Sequence, residues 1–198
     1  MLIGALHKWN RVAIQSQAAS NGNWDCFAEN SPPIIARVKS ADKIISWEQL
    51  PVWRDALRAQ GRKLVVTNGC FDLLHRGHVV YLEAARALGD ALLVGVNSDA
   101  SVGGLKGPDR PVNSEADRAA VLAALQSVDG VCVFTDPTAM RFLSTVRPDI
   151  YAKGGDYTID TINQEERRLI EGQGGKVAIL PGVPGKSTTA LLEKISRL

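Results

Sequence analysis

The feature that most constrains the fold is an alternation of short apolar runs with segments of helical length from residue 64 onward. The runs hold their apolar character without a polar residue at every second position, as expected for parallel strands covered on both faces. The alternation of strands with helices predicts βαβ units with right-handed crossovers. We therefore predict an α/β fold, a three-layer α/β/α sandwich that is Rossmann-like, with a five-stranded parallel sheet. The predicted strands are 64–67, 91–96, 131–134, 150–152 and 177–180, and the predicted helices between and after them are 79–88, 114–125, 138–146, 164–173 and 188–198.

The chain divides into two segments near residue 43. Its 198 residues, 45% of them hydrophobic, suffice for one substantial core. Residues 1–43 show no sustained hydrophobic period, which predicts a poorly ordered extension. Its first 24 residues are basic without acid, as in a transit peptide, but a misassigned start explains this composition equally well. Residues 44–198 form the predicted domain, which opens with a helix that Ser46 and Gln49 could cap and Gly61 could end.

Composition excludes several classes of function. A formal net charge of +2 gives no basic face, so we expect no nucleic acid partner. The three cysteines have neither zinc-ligand spacing nor an even count, which predicts no structural metal and a reducing, cytoplasmic location. No apolar stretch approaches the roughly 18 residues that a membrane span requires, so no membrane association is expected.

A pair of histidines follows the first predicted strand. His75 and His78 stand where a loop enters a largely apolar helix, and there the unpaired amides and the positive end of the helix dipole favour an anion. Two imidazoles one turn apart could donate to the same phosphates, and Gly77 permits close approach. The alternative is a histidine pair that only caps the helix or faces solvent.

Beyond the histidine pair, the order of motifs resembles that of the HxGH nucleotidyltransferases, from about Ile44 onward. The segments that carry the resemblance are TNGCFDLLHRGHVVYLEAARALGD, LLVGVNSDASVGGLKG, RPVNSEADRAAVLAAL, DIYAKGGDY and GKSTTALLEKI. Together they are most similar to the heptose-1-phosphate adenylyltransferase branch, either as a stand-alone enzyme or as the second domain of a bifunctional kinase-transferase.

The resemblance implies a reaction between ATP and a sugar phosphate. The acceptor phosphate would attack the α-phosphorus in line, with Mg²⁺ bound through the triphosphate and no covalent intermediate. His75 and His78 would donate to the α- and β-phosphates, and Asp72 would orient these donors or help to hold the cation. The resemblance also implies a homodimer.

Further site residues are carried over by the same resemblance. Lys106, expected in a loop, would contact the phosphates of donor and acceptor, and Arg118 would support the triphosphate region; either could instead be a surface charge. Ser187 and Thr188 would grip the β- and γ-phosphates, unless Ser187 is only a helix cap. A kinase-type phosphate loop is excluded, because Leu180 stands where that motif requires glycine.

The remaining candidates lie at predicted strand ends. We expect Asn97 and Asp99 to bind the acceptor, and the following residues to line the nucleotide pocket: Asn68, Gly69, Cys70, Phe71, Lys153, Gly154 and Asp156. Asn, Asp and Gly are also ordinary turn formers, and nothing marks Cys70 as a nucleophile.

Two rival functions remain open at this point. The same fold could be a cytidylyltransferase for a polyol phosphate such as glycerol 3-phosphate, although residues 182–185 lack the arginine of that branch. A nucleotide-binding regulator without turnover is the alternative from another class.

Overall fold

The computed structural model describes residues 38–155, 157–185 and 187–197. One compact unit spans Lys39–Leu198, so it begins before the predicted boundary at residue 44. A 3₁₀ turn, Ser40–Lys43, opens it, and Lys43 Nζ donates to the carbonyls of Leu125 and Val128 at 3.0 and 2.7 Å. Residues 1–37, most of the predicted extension, lie outside the described residues, and their disorder stays a prediction.

Five parallel strands form one sheet in the order β3-β2-β1-β4-β5, which confirms the predicted fold class. They are β1 (Leu64–Gly69), β2 (Ala91–Asn97), β3 (Gly130–Phe134), β4 (Ile150–Gly155) and β5 (Lys176–Pro181). Every residue of β2 is buried, as the continuous apolar run predicted.

Helices cover both faces of the sheet. They are α1 (Leu50–Ala59), α2 (Arg76–Arg86), α3 (Asp99–Lys106), α4 (Glu115–Ala123), α5 (Met140–Val146), α6 (Gln164–Gly172) and α7 (Thr188–Ile195). Leu64 and Val66 pack in one core cluster with residues of α1, α5 and α6, whereas Val65 packs in the other with residues of α2 and α4. Since successive side chains of a strand point to opposite faces, this division produces the three layers. None of the described helices has the length and hydropathy of a membrane span.

The helix α3 was not predicted, and Lys106 is its last residue rather than part of a loop. Gly103 and Gly104 lie within it, and glycine weakens a helix. Two features stabilise α3 against the low helix propensity of these glycines. The Ser98 side chain accepts from the amide of Ser101 at 3.3 Å as an N-cap, and Val102 is fully buried.

Strands β1 and β4 are neighbours that extend past their predicted ends. The chain leaves β1 for β2 on one side, and after β3 it crosses back to β4 on the other side of β1. This change of direction makes the carboxyl ends of β1 and β4 the place where ligands bind in open α/β sheets. The extensions bring Gly69 and Gly154 to this edge. A Cβ on Gly154 would lie 2.4 Å from the ring of Tyr81, so glycine lets β4 pack directly on α2.

Candidate active site

The two histidines lie together at the start of α2. His75 is the N-cap residue, and its Nδ1 accepts from the amide of Gly77 at 3.1 Å, while its own amide donates to Nδ1 of His78 at 3.4 Å. The rings stack with centroids 4.0 Å apart. Because each Nδ1 accepts a hydrogen bond, each neutral ring carries its proton on Nε2. The helix start therefore supplies two Nε2–H donors as well as its own amides.

His78 is held in its neutral form. Burial, together with the neighbouring His75, lowers its pKa from 6.5 to about 4. The ring of Phe71 lies 5.4 Å from that of His78 and is itself buried in the core. Phe71 thus packs against His78 on the side of the core. Its φ of +48° is a left-handed conformation that costs a bulky residue energy and that the surrounding packing must enforce.

Asp72 binds a neighbouring loop rather than the two histidines. Its carboxylate accepts from Arg110 Nε at 2.6 Å and from the amides of Val112 and Asn113 at 2.8 and 3.0 Å. Burial acts to raise the pKa of Asp72, but these hydrogen bonds outweigh it and hold the pKa below its usual value. With its side chain only 1% exposed, Asp72 is an ionised anchor for residues 110–113, and the predicted role of orienting the histidines has no support in these contacts.

Arg118 is a buried connector between chain segments. Its guanidinium donates to the carbonyls of Cys70, Asn97 and Asn113 and pairs with Asp99 at 2.7 Å. The side chain is 0% exposed, so these protein groups occupy it. Its support of the site is therefore indirect: it holds the ends of β1 and β2 together.

The amino end of α7 comes close to the histidine turn. Thr188 Oγ1 donates to the carbonyl of Leu73 at 3.3 Å, and Ser187 Oγ accepts from the amide of Ala190 at 3.1 Å as the N-cap. Ser187 therefore has the capping role considered from sequence, at a helix start that lies beside the turn. Two helix amino termini, those of α2 and α7, meet at this edge.

A polar network joins the ends of β1 and β4. Lys153 Nζ donates to Asn68 Oδ1 at 2.9 Å and lies 3.6 Å from the carboxylate of Glu166. The Tyr151 hydroxyl lies 2.6 Å from Asn68 Oδ1 and 2.7 Å from Glu166. Burial lowers the pKa of Lys153, and Glu166 partly opposes that shift. Asp156, predicted beside this network, lies outside the described residues.

The predicted acceptor-binding residues lie at the end of β2. Asn97 is buried and donates to Ser101 Oγ at 3.1 Å, whereas the side chain of Asp99 is 44% exposed. Lys106 is exposed at the end of α3. Burial raises the pKa of the Cys70 thiol, and the charge of Lys106 is the largest effect that lowers it, which indicates that the ammonium acts on the same edge of the sheet.

Sequence reasoning missed three polar residues of this edge: Arg110, Tyr151 and Glu166. Each acts through a partner distant in sequence, such as Asp72 for Arg110, so no local spacing indicates them. The signal for Arg110 was its place in the segment RPVNSEADR.

Comparison with known proteins gives one matching family model and many relatives. The model described as "Cytidylyltransferase-like" matches residues 66–188. "Bifunctional protein HldE" of Methylobacillus flagellatus is 49% identical over 79% of this chain and 32% of its own length. The protein of the same name from Ectopseudomonas mendocina is 44% identical over 94% of this chain and 40% of its own, an alignment that takes in part of the segment before residue 44.

The chain thus spans about a third of the length of the curated relatives it matches. Among solved structures, a lipopolysaccharide core biosynthesis protein from Thermoplasma volcanium superposes with a TM-score of 0.52 at 30% identity. That match covers 62% of this chain and 98% of the other.

Proposed function

The chain belongs to the cytidylyltransferase-like family, and on that premise we propose that it is a nucleotidyltransferase that transfers AMP from ATP to D-glycero-D-manno-heptose 1-phosphate. The products are ADP-heptose and pyrophosphate. The observation that carries the proposal is the pair of stacked imidazoles at the start of α2, each with Nδ1 accepting a hydrogen bond. The choice of sugar is supported by the resemblance and by the identity to proteins named HldE.

The proposed reaction is a single displacement at phosphorus. An oxygen of the acceptor phosphate forms a bond to the α-phosphorus, and the bond from the α-phosphorus to the bridging oxygen of the β-phosphate breaks. The acceptor needs no strong base, because a phosphate monoester with a second pKa near 6 is already largely ionised at pH 7. The work left to the chain is positioning and stabilisation of charge.

The Nε2–H groups of His75 and His78 serve that task. The hydrogen bonds to Nδ1 leave Nε2–H as the group of each ring that can donate toward the α- and β-phosphates, and the low pKa of His78 keeps the His78 ring uncharged across the neutral range. The amides at the starts of α2 and α7 add donors that require no reorganisation.

We assign Mg²⁺ to the triphosphate rather than to a protein cage. Mg²⁺ keeps several waters and is commonly bound through substrate phosphates. Asp72, the acid nearest the histidines in sequence, fits a cation poorly, since its carboxylate is buried and bonded to Arg110 and two amides. Within the described residues there is no group of three His, Cys, Asp or Glu side chains that could hold a metal. When bound, the ion would neutralise charge on the departing pyrophosphate.

The acceptor would lie over the end of β2. Exposed Asp99 could accept from sugar hydroxyls, and Lys106 could bind the attacking phosphate. We further propose a cytoplasmic homodimer. The cysteines of the described residues, Cys70 and Cys132, are free thiols and compatible with a reducing compartment, and the dimer rests on the resemblance alone. Light scattering at micromolar concentration tests the dimer.

A second candidate keeps the fold and exchanges the substrates. The description of the matching family model favours a cytidylyltransferase acting on a polyol phosphate such as glycerol 3-phosphate. Pyrophosphate release measured with ATP and with CTP, each against heptose 1-phosphate, glycerol 3-phosphate and mannose 1-phosphate, separates the two. We expect turnover with ATP and heptose 1-phosphate. Turnover with CTP alone contradicts the heptose assignment, and nucleotide binding without any turnover supports a regulator.

A further inference from the structure

Arg110 is a cation of this edge that the proposed mechanism does not yet use. Its Nε donates to Asp72 at 2.6 Å, and its side chain is 20% exposed. Within the described part of the chain, neither Nη atom makes a hydrogen bond, and neither is buried without a partner. One edge of the guanidinium is therefore fixed, and the other is open to solvent.

The position of Arg110 relates it to the acceptor rather than to the leaving pyrophosphate. In the sheet order β3-β2-β1-β4-β5, α7 follows β5 on one side of β1, whereas α3 and the segment that carries Arg110 follow β2 on the other. The charges of both Lys106 and Arg110 lower the pKa of Cys70 at the end of β1, against the larger opposing effect of burial. The two cations therefore act on the β2 side of the histidine pair.

Arg118 provides the internal contrast. It lies on the same side, but its side chain is 0% exposed and bonded to three carbonyls and Asp99. Arg118 has no nitrogen left to bind a ligand, whereas the two Nη atoms of Arg110 remain available. A planar pair of N–H groups matches two oxygens of one phosphate.

We propose that Arg110 is a further substrate-binding residue, whose outer nitrogens bind the attacking phosphate of the acceptor. Asp72 is the positioning residue that fixes the plane and direction of this guanidinium, through a carboxylate that the amides of Val112 and Asn113 hold in place. This inference rests on the proposed function, and it gives the buried Asp72 a role that acts through Arg110.

The kinetic test measures KM separately for each substrate. Arg110→Gln is expected to raise the KM for the sugar phosphate about 10- to 100-fold, the effect of losing charge-assisted hydrogen bonds, with the KM for ATP within about twofold. Arg110→Lys, which keeps the charge but not the fork, is expected to lie between wild type and Arg110→Gln. Arg168→Gln, on the exposed face of α6, is the charge-matched control and should change neither constant. Equal rises in both KM values, or no rise, overturn the proposal.

Folding is controlled by a second variant. Arg110→Gln leaves the buried Asp72 without its counter-ion and could destabilise the fold, so the double variant Asp72→Asn/Arg110→Gln removes both charges. It should fold and show the same selective loss of acceptor affinity. A folded double variant with wild-type acceptor KM refutes the assignment.

A binding measurement separates this inference from the proposed reaction. Inorganic phosphate is titrated by calorimetry into protein saturated with α,β-methylene-ATP, which occupies the donor site without turning over. Wild type should bind phosphate and Arg110→Gln should bind it at least about tenfold more weakly. Phosphate binding that depends on Arg110 in a protein without turnover refutes the reaction and retains the site. Turnover with phosphate binding that is equal in both proteins refutes the site and retains the reaction.

Discussion

The two sides of the candidate site are built differently. On the β2 side every strand residue is buried, and the loops above it are tied by two ion pairs with one partner almost fully buried, Asp72 with Arg110 and Arg118 with Asp99. On the far side no residue of β5 or α7 is buried. A hydrogen bond from Thr188 to the Leu73 carbonyl links α7 to the histidine turn.

This difference indicates which half of the site is ready before substrates arrive. Buried ion pairs with satisfied hydrogen bonds hold one geometry, and breaking them leaves a charge without a partner. A helix without buried side chains belongs to the low end of local stability. We therefore expect the β2 side to be preorganised and α7 to be stabilised by the triphosphate that it binds.

The largest effect should come from removing the connector of the β2 side. Arg118→Met deletes the ion pair with Asp99 and the hydrogen bonds to Cys70, Asn97 and Asn113. We expect the free energy of unfolding in urea to fall by about 3–5 kcal/mol, and activity to fall with it. Arg168→Met on the surface of α6 is the control, with a change within about 0.5 kcal/mol. A loss from Arg118→Met as small as that of the control would remove the distinction between the two sides.

The histidine pair lies at the start of α2, between the two sides, and its loss should affect rate rather than stability. His75→Ala and His78→Ala are each expected to lower kcat by about 10²–10³, the usual effect of deleting one donor to a developing charge. His75→Asn is the matched control, since its side-chain oxygen can still cap α2 while the Nε2 donor is gone. Unchanged turnover in both alanine variants would refute the assigned role.

The loss of folding stability in acid should depend in part on His78. Its pKa is 6.5 when unfolded and about 4 in the fold, so between these values only the unfolded state takes up the proton. The free energy of unfolding must then decrease as pH falls from 6.5 towards 4. His78→Gln should show a shallower decrease over that window in urea titrations. The pKa of Asp72 is held below its ordinary value, so Asp72 acts at lower pH than His78, and equal slopes for wild type and His78→Gln would contradict the shift of His78.

The smallest effect is expected on the α7 side. Ser187→Ala removes the cap that accepts from the amide of Ala190 and costs the helix about 1 kcal/mol. Since α7 buries no side chain, exchange of its amides should quicken severalfold while the urea midpoint hardly moves, and α,β-methylene-ATP should slow that exchange. Ser196→Ala, after the end of α7, serves as control. A marked drop in the midpoint would show that α7 is as integral to the fold as the β2 side.

The sequence predicted the sheet because its signal is local. Five apolar runs gave all five strands and the three-layer architecture, and the HRGH segment gave the start of α2. The structure also brings His75 and His78 together, as predicted. The family resemblance is confirmed by the matching model.

The parts that sequence reasoning missed depend on distant partners or on competing local preferences. Helix α3 was hidden by Gly103 and Gly104, whose low helix propensity is overridden by burial of Val102. The bond between Asp72 and Arg110 joins positions 38 residues apart, and the one between Tyr151 and Asn68 joins positions 83 apart. Pairs so distant in the chain leave no periodic pattern in a single sequence. The roles of Asp72 and Arg118 as anchors are therefore visible only in the fold.

Nitrogen NMR of the imidazole rings can show whether the Nε2–H groups of His75 and His78 face the polyphosphate, as we propose. The chain has three histidines, so ¹⁵N-labelled rings can be assigned with His75→Gln and His78→Gln. We expect the proton of both rings to lie on Nε2 rather than Nδ1 at pH 7.5, and α,β-methylene-ATP to shift both Nε2 resonances. Protons on Nδ1, or Nε2 resonances that stay in place at saturating nucleotide, would contradict it.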